Sequence, residues 1–224
     1  MLNNLQIEQY FEDGYVIPDF QLPEKTTQAI QKRHEALLEK YPEFRDYCPA
    51  ILQYDEGFAD FCRNNEILDM VEQLIGPDIA LWNSSFFAKP AKNGKATPWH
   101  QDAAYWIDMP DKRALSIWFA IDEATLENGC MWYTPKSHKF PLRDHYQPVG
   151  KGALQCQGTE EESIAVPLKS GSCSIHHGHT LHFSRGNSTS KNRRAFILNF
   201  RPEKMVELER EQGMDHSGIR EVKT

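Results

Sequence analysis

The sequence predicts an all-β barrel or double sheet with helices packed on its outside. After Gly76 the chain breaks into short aromatic and β-branched runs, several of which alternate so that one face is strongly apolar. The segments between the runs carry Asn-Gly and glycine-rich turns.

Ahead of the runs, two segments read as helices. From about Glu24 to Lys40, residues Ile30, His34, Leu37 and Leu38 share one side, and Tyr41-Pro42 closes the segment because proline disfavours helical geometry in the residue before it. From Glu66 to Ile75, residues Ile67, Met70, Val71, Leu74 and Ile75 follow the spacing of one buried helix face, with Asn64 or Asn65 as cap and Gly76 as terminator. The strand runs are Ile79 to Phe87, Leu115 to Ile121, Cys130 to Thr134, Ser163 to Leu168, Cys173 to His177 and Ala195 to Phe200. In one, Leu115, Ile117, Phe119 and Ile121 alternate with Ser116, Trp118 and Ala120; in another, Phe196, Leu198 and Phe200 alternate with Ala195, Ile197 and Asn199. Asn93-Gly94, Glu127-Asn128-Gly129, Gly150-Lys151-Gly152 and Gly186-Asn187 mark the turns. Beyond Arg201 the chain is charged and poor in large apolar residues, which reads as a short surface helix or a loosely ordered tail. The expectation is one domain over residues 1–224, with a helical part to about 76, a β core over about 77–202 and the charged tail.

Composition narrows the function classes. The five cysteines are scattered and never spaced Cys-x-x-Cys, which argues against a disulfide framework and a zinc knuckle and for packing residues in a reducing compartment. The first residues lack a basic patch followed by an apolar core, and no apolar run approaches the ~20 residues of a bilayer span, so the expected setting is cytoplasmic with no membrane partner. A formal charge of −7 and a pI near 5.7 disfavour nucleic acid, whose binding draws on basic side chains. The expected partner is a small molecule.

Nine histidines are too many to interpret singly, so partners at metal-ligand spacing matter. In His100-Gln101-Asp102, an extended backbone puts the imidazole and the carboxylate on one face, where both reach one ion. Alone, such a triplet is as well read as a surface feature. The cluster His176-His177-Gly178-His179-Thr180-Leu181-His182 can add the histidine that completes a two-histidine, one-carboxylate triad, which leaves positions open on Fe(II). A closed structural zinc site would want four ligands, preferably thiolates, and no cysteine is suitably spaced; a catalytic zinc remains an alternative. Arg193-Arg194 opens the last predicted strand, where a guanidinium can grip a carboxylate bidentately, although an ordinary surface arginine is the default for one of the two. Ser184 stands two residues after His182 and can add a hydroxyl.

Taken in order, these residues resemble the phytanoyl-CoA dioxygenase family of Fe(II)/2-oxoglutarate oxygenases over most of the chain. Asp13 to Phe20 resembles the family's N-terminal strand, Lys89-Pro90 through Thr97-Pro98-Trp99-His100-Gln101-Asp102 its proximal metal motif, and Ala120 to Cys130 its acidic, glycine-ending segment. Thr134-Pro135-Lys136-Ser137-His138-Lys139 matches a turn in which the family has glycine at the place of Lys136, and His177-Gly178, His182-Phe183-Ser184, Asn187 and Arg193 complete the pattern. The chain departs from it again at Phe183, where glycine is frequent.

The resemblance implies a double-stranded β-helix (a cupin-like jelly roll) with the N-terminal helices outside the major sheet. It implies Fe(II) held by His100, Asp102 and His182, with His177 structural. It also implies 2-oxoglutarate bound through Arg193, with Ser184 assisting, Trp118 walling the pocket and Thr97 a weaker candidate. The implied reaction consumes O₂, releases succinate and CO₂, and hydroxylates a substrate carbon. Asp102 matters here, because halogenating relatives lack that carboxylate. For the substrate, Tyr105 and Trp106 can overhang the metal or be core residues, and Lys89, Arg113 and Arg185 can grip an acidic group or be solvated charges. No basic cluster supports an acyl-CoA, and a small metabolite or natural-product intermediate is the expectation. The rival readings are a cupin-like metalloenzyme of other chemistry, which would not need Arg193, and a non-catalytic descendant that binds a ligand at an idle site.

Overall fold

The computed structural model describes residues 1–106, 108, 110–148 and 153–213. The turn expected at Gly150-Lys151-Gly152 lies outside the described residues, as does the tail from residue 214 onward.

Alternation in the strand runs decides the layers. A six-stranded sheet runs in the order β1 (Tyr15–Val16), β8 (Cys173–His177), β5 (Leu115–Ala120), β10 (Arg193–Pro202), β3 (Ile79–Lys89), β2 (Tyr47–Cys48). A four-stranded sheet runs β4 (Thr97–His100), β9 (His182–Ser184), β6 (Met131–Tyr133), β7 (Ile164–Val166), and every pairing in both sheets is antiparallel. From β3 to β10 the chain passes between the sheets strand by strand, staying in the smaller sheet only from β6 to β7, which is the double-stranded β-helix.

One face of the larger sheet, with Leu115, Ile117, Phe119, Phe196, Leu198 and Phe200, packs on the helices in one apolar cluster. The other face, with Trp118, Ala120, Ala195 and Ile197, meets Met131, Tyr133 and Val166 of the smaller sheet in a second cluster. Ser116 and Asn199 belong to this inner face, so polar side chains stand in the space between the sheets.

The outer helices form where their sequence signals stand. α2 spans Glu24–Lys40 and ends at Tyr41, whose φ of −133° and ψ of 70° leave the helical region ahead of Pro42. α4 spans Asn65–Ile75; the Asn64 side chain accepts from the backbone N–H groups of Glu66 and Ile67, and Gly76 ends it at φ +94°. Two shorter helices precede α4 without a matching sequence expectation: α1 (Asn4–Asp13), started by a reciprocal capping box between Asn3 and Gln6, and α3 (Ala59–Cys62).

Two expectations need correction. The part before residue 76 is not only helical: besides β1, which falls within the N-terminal strand expected over Asp13 to Phe20, it supplies the unexpected β2, and the two cover both edges of the larger sheet and satisfy backbone groups otherwise left open. The charged tail is not merely a surface helix, because α5 (Glu203–Glu211) packs on β3 and β10 with Met205, Val206 and Glu209 buried. Among the described residues no helix is long and apolar enough to cross a membrane.

Candidate metal and anion site

The pairing of β4 with β9 sets His100 directly opposite His182, and Asp102 follows at the start of a 3-10 turn. One ligand atom from each of the three lies within 4.8 Å of the others. His100 Nδ1–H donates to the Pro98 carbonyl and His182 Nδ1–H donates to the Thr180 carbonyl, each over 2.8 Å, which leaves both Nε2 lone pairs free to point at one ion. Those nitrogens stand 3.5 and 3.6 Å from Asp102 Oδ1.

Asp102 Oδ2 is engaged elsewhere. It accepts from Ser116 Oγ at 2.5 Å and from His176 Nε2 at 3.1 Å. Asn199 Nδ2 donates to Ser116 Oγ at 2.7 Å, and the Tyr133 hydroxyl, 2.8 Å from Ser174 Oγ, lies 3.2 Å from His176 Nδ1. Sequence reasoning passed over this buried network. Its signal was present in Ser116 and Asn199, polar residues on otherwise apolar strand faces, and in His176, which β8 sets opposite Ser116.

Burial pushes His182 well below the usual imidazole range, aided by His100, so its nitrogen is neutral. Burial alone would favour the protonated acid at Asp102, but His182, His100 and His176 outweigh it and hold the carboxyl well below its ordinary range. Neutral nitrogens and an ionised oxygen are the forms that bind a metal. His177 lies apart from the three: its Nδ1 accepts from the His179 backbone N–H and its ring neighbours are Tyr10, His138 and His179.

The triad lines a cavity of about 530 Å³ that also reaches Arg193, Lys89, Thr97, Ser184 and Trp118. Arg193 and Lys89 are register partners on β10 and β3, 2% and 3% exposed, so two cations are buried side by side. Arg193 donates to the Phe87 carbonyl at 3.3 Å and its guanidinium lies 5.2 Å from the Trp118 ring, while its Nε has no partner. Lys89 Nζ donates to the Lys95 carbonyl at 2.6 Å and to Thr97 Oγ1 at 3.3 Å. Burial, then the neighbouring Arg193, pushes the Lys89 ammonium down to about 7, and burial pushes Arg193 to about 9. Among the described residues no carboxylate forms an ion pair with either one. Thr97 and Ser184 face each other across β4 and β9 beside them.

Tyr105 and Trp106 line the same cavity, the Tyr105 ring 6.0 Å from His100. Lys89 thus joins Arg193 and Thr97. Arg113 and Arg185 are held elsewhere: Arg113 pairs with Asp111 and donates to the Ile75 carbonyl, and Arg185 pairs with Glu160. Arg194, the neighbour of Arg193, is bound to Asp122 and Glu35. The other motif residues brace the loops. Asn187 Nδ2 donates to the Lys89 carbonyl, Asn128 Oδ1 accepts from the Thr125 N–H, and Gly129, at φ +92°, leaves no room for a Cβ beside the Arg185 carbonyl.

The model of one known family, described as Phytanoyl-CoA dioxygenase (PhyH), matches residues 10–195. "Phytanoyl-CoA dioxygenase domain-containing protein 1" of Danio rerio is 30% identical over 201 residues, covering 86% of this chain and 64% of that protein; the chain therefore spans less than two thirds of that relative. The structure of the apo non-heme monooxygenase ThoJ superposes with a TM-score of 0.75 at 26% identity, over 88% of this chain and 79% of that one. EvdO2 from Micromonospora carbonacea var. aurantiaca gives 0.77 at 24% identity, covering 89% and 91%, a likeness of fold.

Proposed function

Because the chain belongs to the phytanoyl-CoA dioxygenase family, we propose that it is an Fe(II)- and 2-oxoglutarate-dependent oxygenase that hydroxylates a small organic molecule, releasing succinate and CO₂. The observation that carries this reading is the buried pair Arg193 and Lys89, which shares a cavity with a three-ligand candidate metal site and has, among the described residues, no carboxylate in an ion pair with it. Burying two unpaired cations is costly, and a dicarboxylate placed with one end at the metal would offset that cost with its other end.

The donor set fits the metal: two imidazole nitrogens and one carboxylate oxygen on one side leave open positions on Fe(II). When bound, Fe(II) with 2-oxoglutarate and O₂ supplies the oxidation that replaces a C–H hydrogen by hydroxyl. His100, Asp102 and His182 would hold the metal. Arg193 would pair with the far carboxylate of 2-oxoglutarate, Lys89 would add a second positive charge, and Thr97 and Ser184 would offer hydroxyls to the same group. Trp118 lies against the Arg193 guanidinium and would help hold it toward the carboxylate. The five cysteines are all unpaired and buried, which supports a cytoplasmic setting.

The test is succinate formation by Fe(II)-loaded protein on adding O₂ and 2-oxoglutarate, with His182→Ala and Arg193→Ala alongside. Slow turnover by the wild type, lost in both variants, is expected. Metal binding without 2-oxoglutarate binding would favour a cupin-like enzyme of other chemistry, and binding of neither an idle site.

A further inference from the structure

The half of the cavity away from Arg193 is built differently. Trp82, Trp106 and Tyr105 line it, together with Asn83 and Ser85 from the inner face of β3, and Tyr47 lines the cavity opposite Phe87, two residues along β3 from Lys89. The two tyrosines are 41% and 44% exposed, a placement that fits the mouth of a cleft, while Trp82 is 6% exposed. Trp82 and Trp106 meet edge to face with ring centroids 5.3 Å apart.

This corner is locked from behind. The Arg201 guanidinium lies 5.6 Å from the Trp82 ring and 5.4 Å from the Trp106 ring. Arg201 is ion-paired to the buried Glu209 of α5, which also accepts the Trp82 indole N–H at 2.9 Å. Gly178 lies so close under Trp106 that a Cβ there would meet the indole. An aromatic pair held by a buried ion pair is pre-organised, and rigid aromatic surface with few rotamers to lose is what a flat ring binds at low entropic cost. The charge against this corner is that of Arg201 and Glu209, which pair with each other, whereas Asp46 and Lys95 line the cavity near Lys89: the Asp46 carbonyl accepts from the Ala88 N–H and the Lys95 carbonyl from Lys89 Nζ.

We infer that Trp82 and Trp106 form a subsite for a planar, uncharged ring of the substrate, with Arg201 and Glu209 as positioning residues and Asn83 and Ser85 as hydrogen-bonding partners for an oxygen on that ring. A phosphate-bearing acyl thioester does not suit this half of the cavity, because phosphates call for clustered arginine and lysine. The inference rests on the oxygenase reading only in naming the ring as substrate; the subsite stands on its own geometry.

The experiment titrates the full chain with 2-naphthol, naphthalene-2-sulfonate and octanoyl-CoA, following quenching of tryptophan emission. In parallel, 2-oxoglutarate binding to the Fe(II) protein is followed by its charge-transfer absorption. Expected is binding of 2-naphthol that weakens roughly tenfold in Trp106→Ala and is retained in Trp106→Phe, with no competition from octanoyl-CoA. Glu209→Gln is expected to weaken 2-naphthol while leaving the charge-transfer band intact. Unchanged affinity in Trp106→Ala, equal binding of the sulfonate, or displacement by octanoyl-CoA overturns the subsite. A charge-transfer band without 2-naphthol binding defeats the subsite alone; 2-naphthol binding without the band defeats the oxygenase reading alone.

Discussion

Ser116 and Asp102 are joined by a 2.5 Å hydrogen bond in which the β5 hydroxyl takes Oδ2 of the carboxylate. With His176 on the same oxygen, only Oδ1 is left to face His100 and His182. A carboxylate clamped in this way offers a metal one oxygen and keeps the remaining coordination positions open.

Removing the clamp should cost metal affinity. Ser116→Ala and His176→Leu are each expected to weaken Fe(II) or Co(II) binding by about 10–100-fold, the usual effect of losing an outer partner of a metal ligand. His176→Gln, which keeps a donor for Oδ2, should recover much of it. Chelator competition reads the affinity, and wild-type values in Ser116→Ala and His176→Leu would remove the clamp from the account.

On the proposed reading, Lys89 should make 2-oxoglutarate binding depend on pH. Its ammonium, pushed down to about 7 by burial and by Arg193, is protonated below that pH and attracts an anion; above it the charge is lost. Affinity for 2-oxoglutarate should therefore fall as pH rises from 6 to 8, more steeply than in Lys89→Met. Parallel pH profiles of the two proteins would show that Lys89 takes no part.

His34 tests the same logic in folding. It is buried against Phe86 at a ring distance of 3.9 Å, neither ring nitrogen has a partner, and burial, with Arg194 nearby, pushes it down to about 4. The unfolded chain takes up the proton first as pH falls below about 6.5, so stability is full above that value and is lost toward pH 4, by on the order of 3 kcal/mol. His34→Phe should reduce the loss measured by urea unfolding at pH 7 and pH 5. His177, which burial pushes down to about 3, leaves a residual slope. An unchanged slope would locate the whole effect elsewhere.

Lys136 holds a left-handed conformation, φ +66°, where the related pattern has glycine. A side chain there costs roughly 1 kcal/mol, and its exposed contact with Glu12 returns little. Lys136→Gly should hold or raise the melting temperature and Lys136→Val should lower it; the reverse order would show that the turn does not set the cost.

Buried strands and amphipathic helices were legible because apolar composition and spacing mark the residues that fold inward: β8 and α2 form at their expected bounds. β4 and β9, which carry the candidate ligands His100 and His182, have only 4 and 3 residues, too few for any alternation, and β4 includes a proline. Neither is among the expected strand runs; their histidines stood out through the His100-Gln101-Asp102 triplet and, for His182, through the family resemblance. Helix α1 was missed because its apolar residues are divided between faces, Tyr10 inside and Leu5 and Phe11 exposed. The tail misled for another reason. Glu209 and Arg201 look like solvated charges until folding pairs them and brings Trp82, 127 positions away from Glu209, against the carboxylate.

The position of β10 bears on how the protein is made. The last strand among the described residues lies between β3 and β5 in the middle of the larger sheet and presents Arg193 at its first residue. During synthesis the flanking strands emerge first and cannot pair with each other across the gap it will fill. Until about Pro202 has left the ribosome, the apolar faces of β3 and β5 await their central partner, and such pairings of distant segments are slow. A ribosome stalled a few residues short of that point would therefore hold a chain with all three proposed metal ligands translated and no completed sheet to bring them together, open meanwhile to chaperones or to other nascent strands.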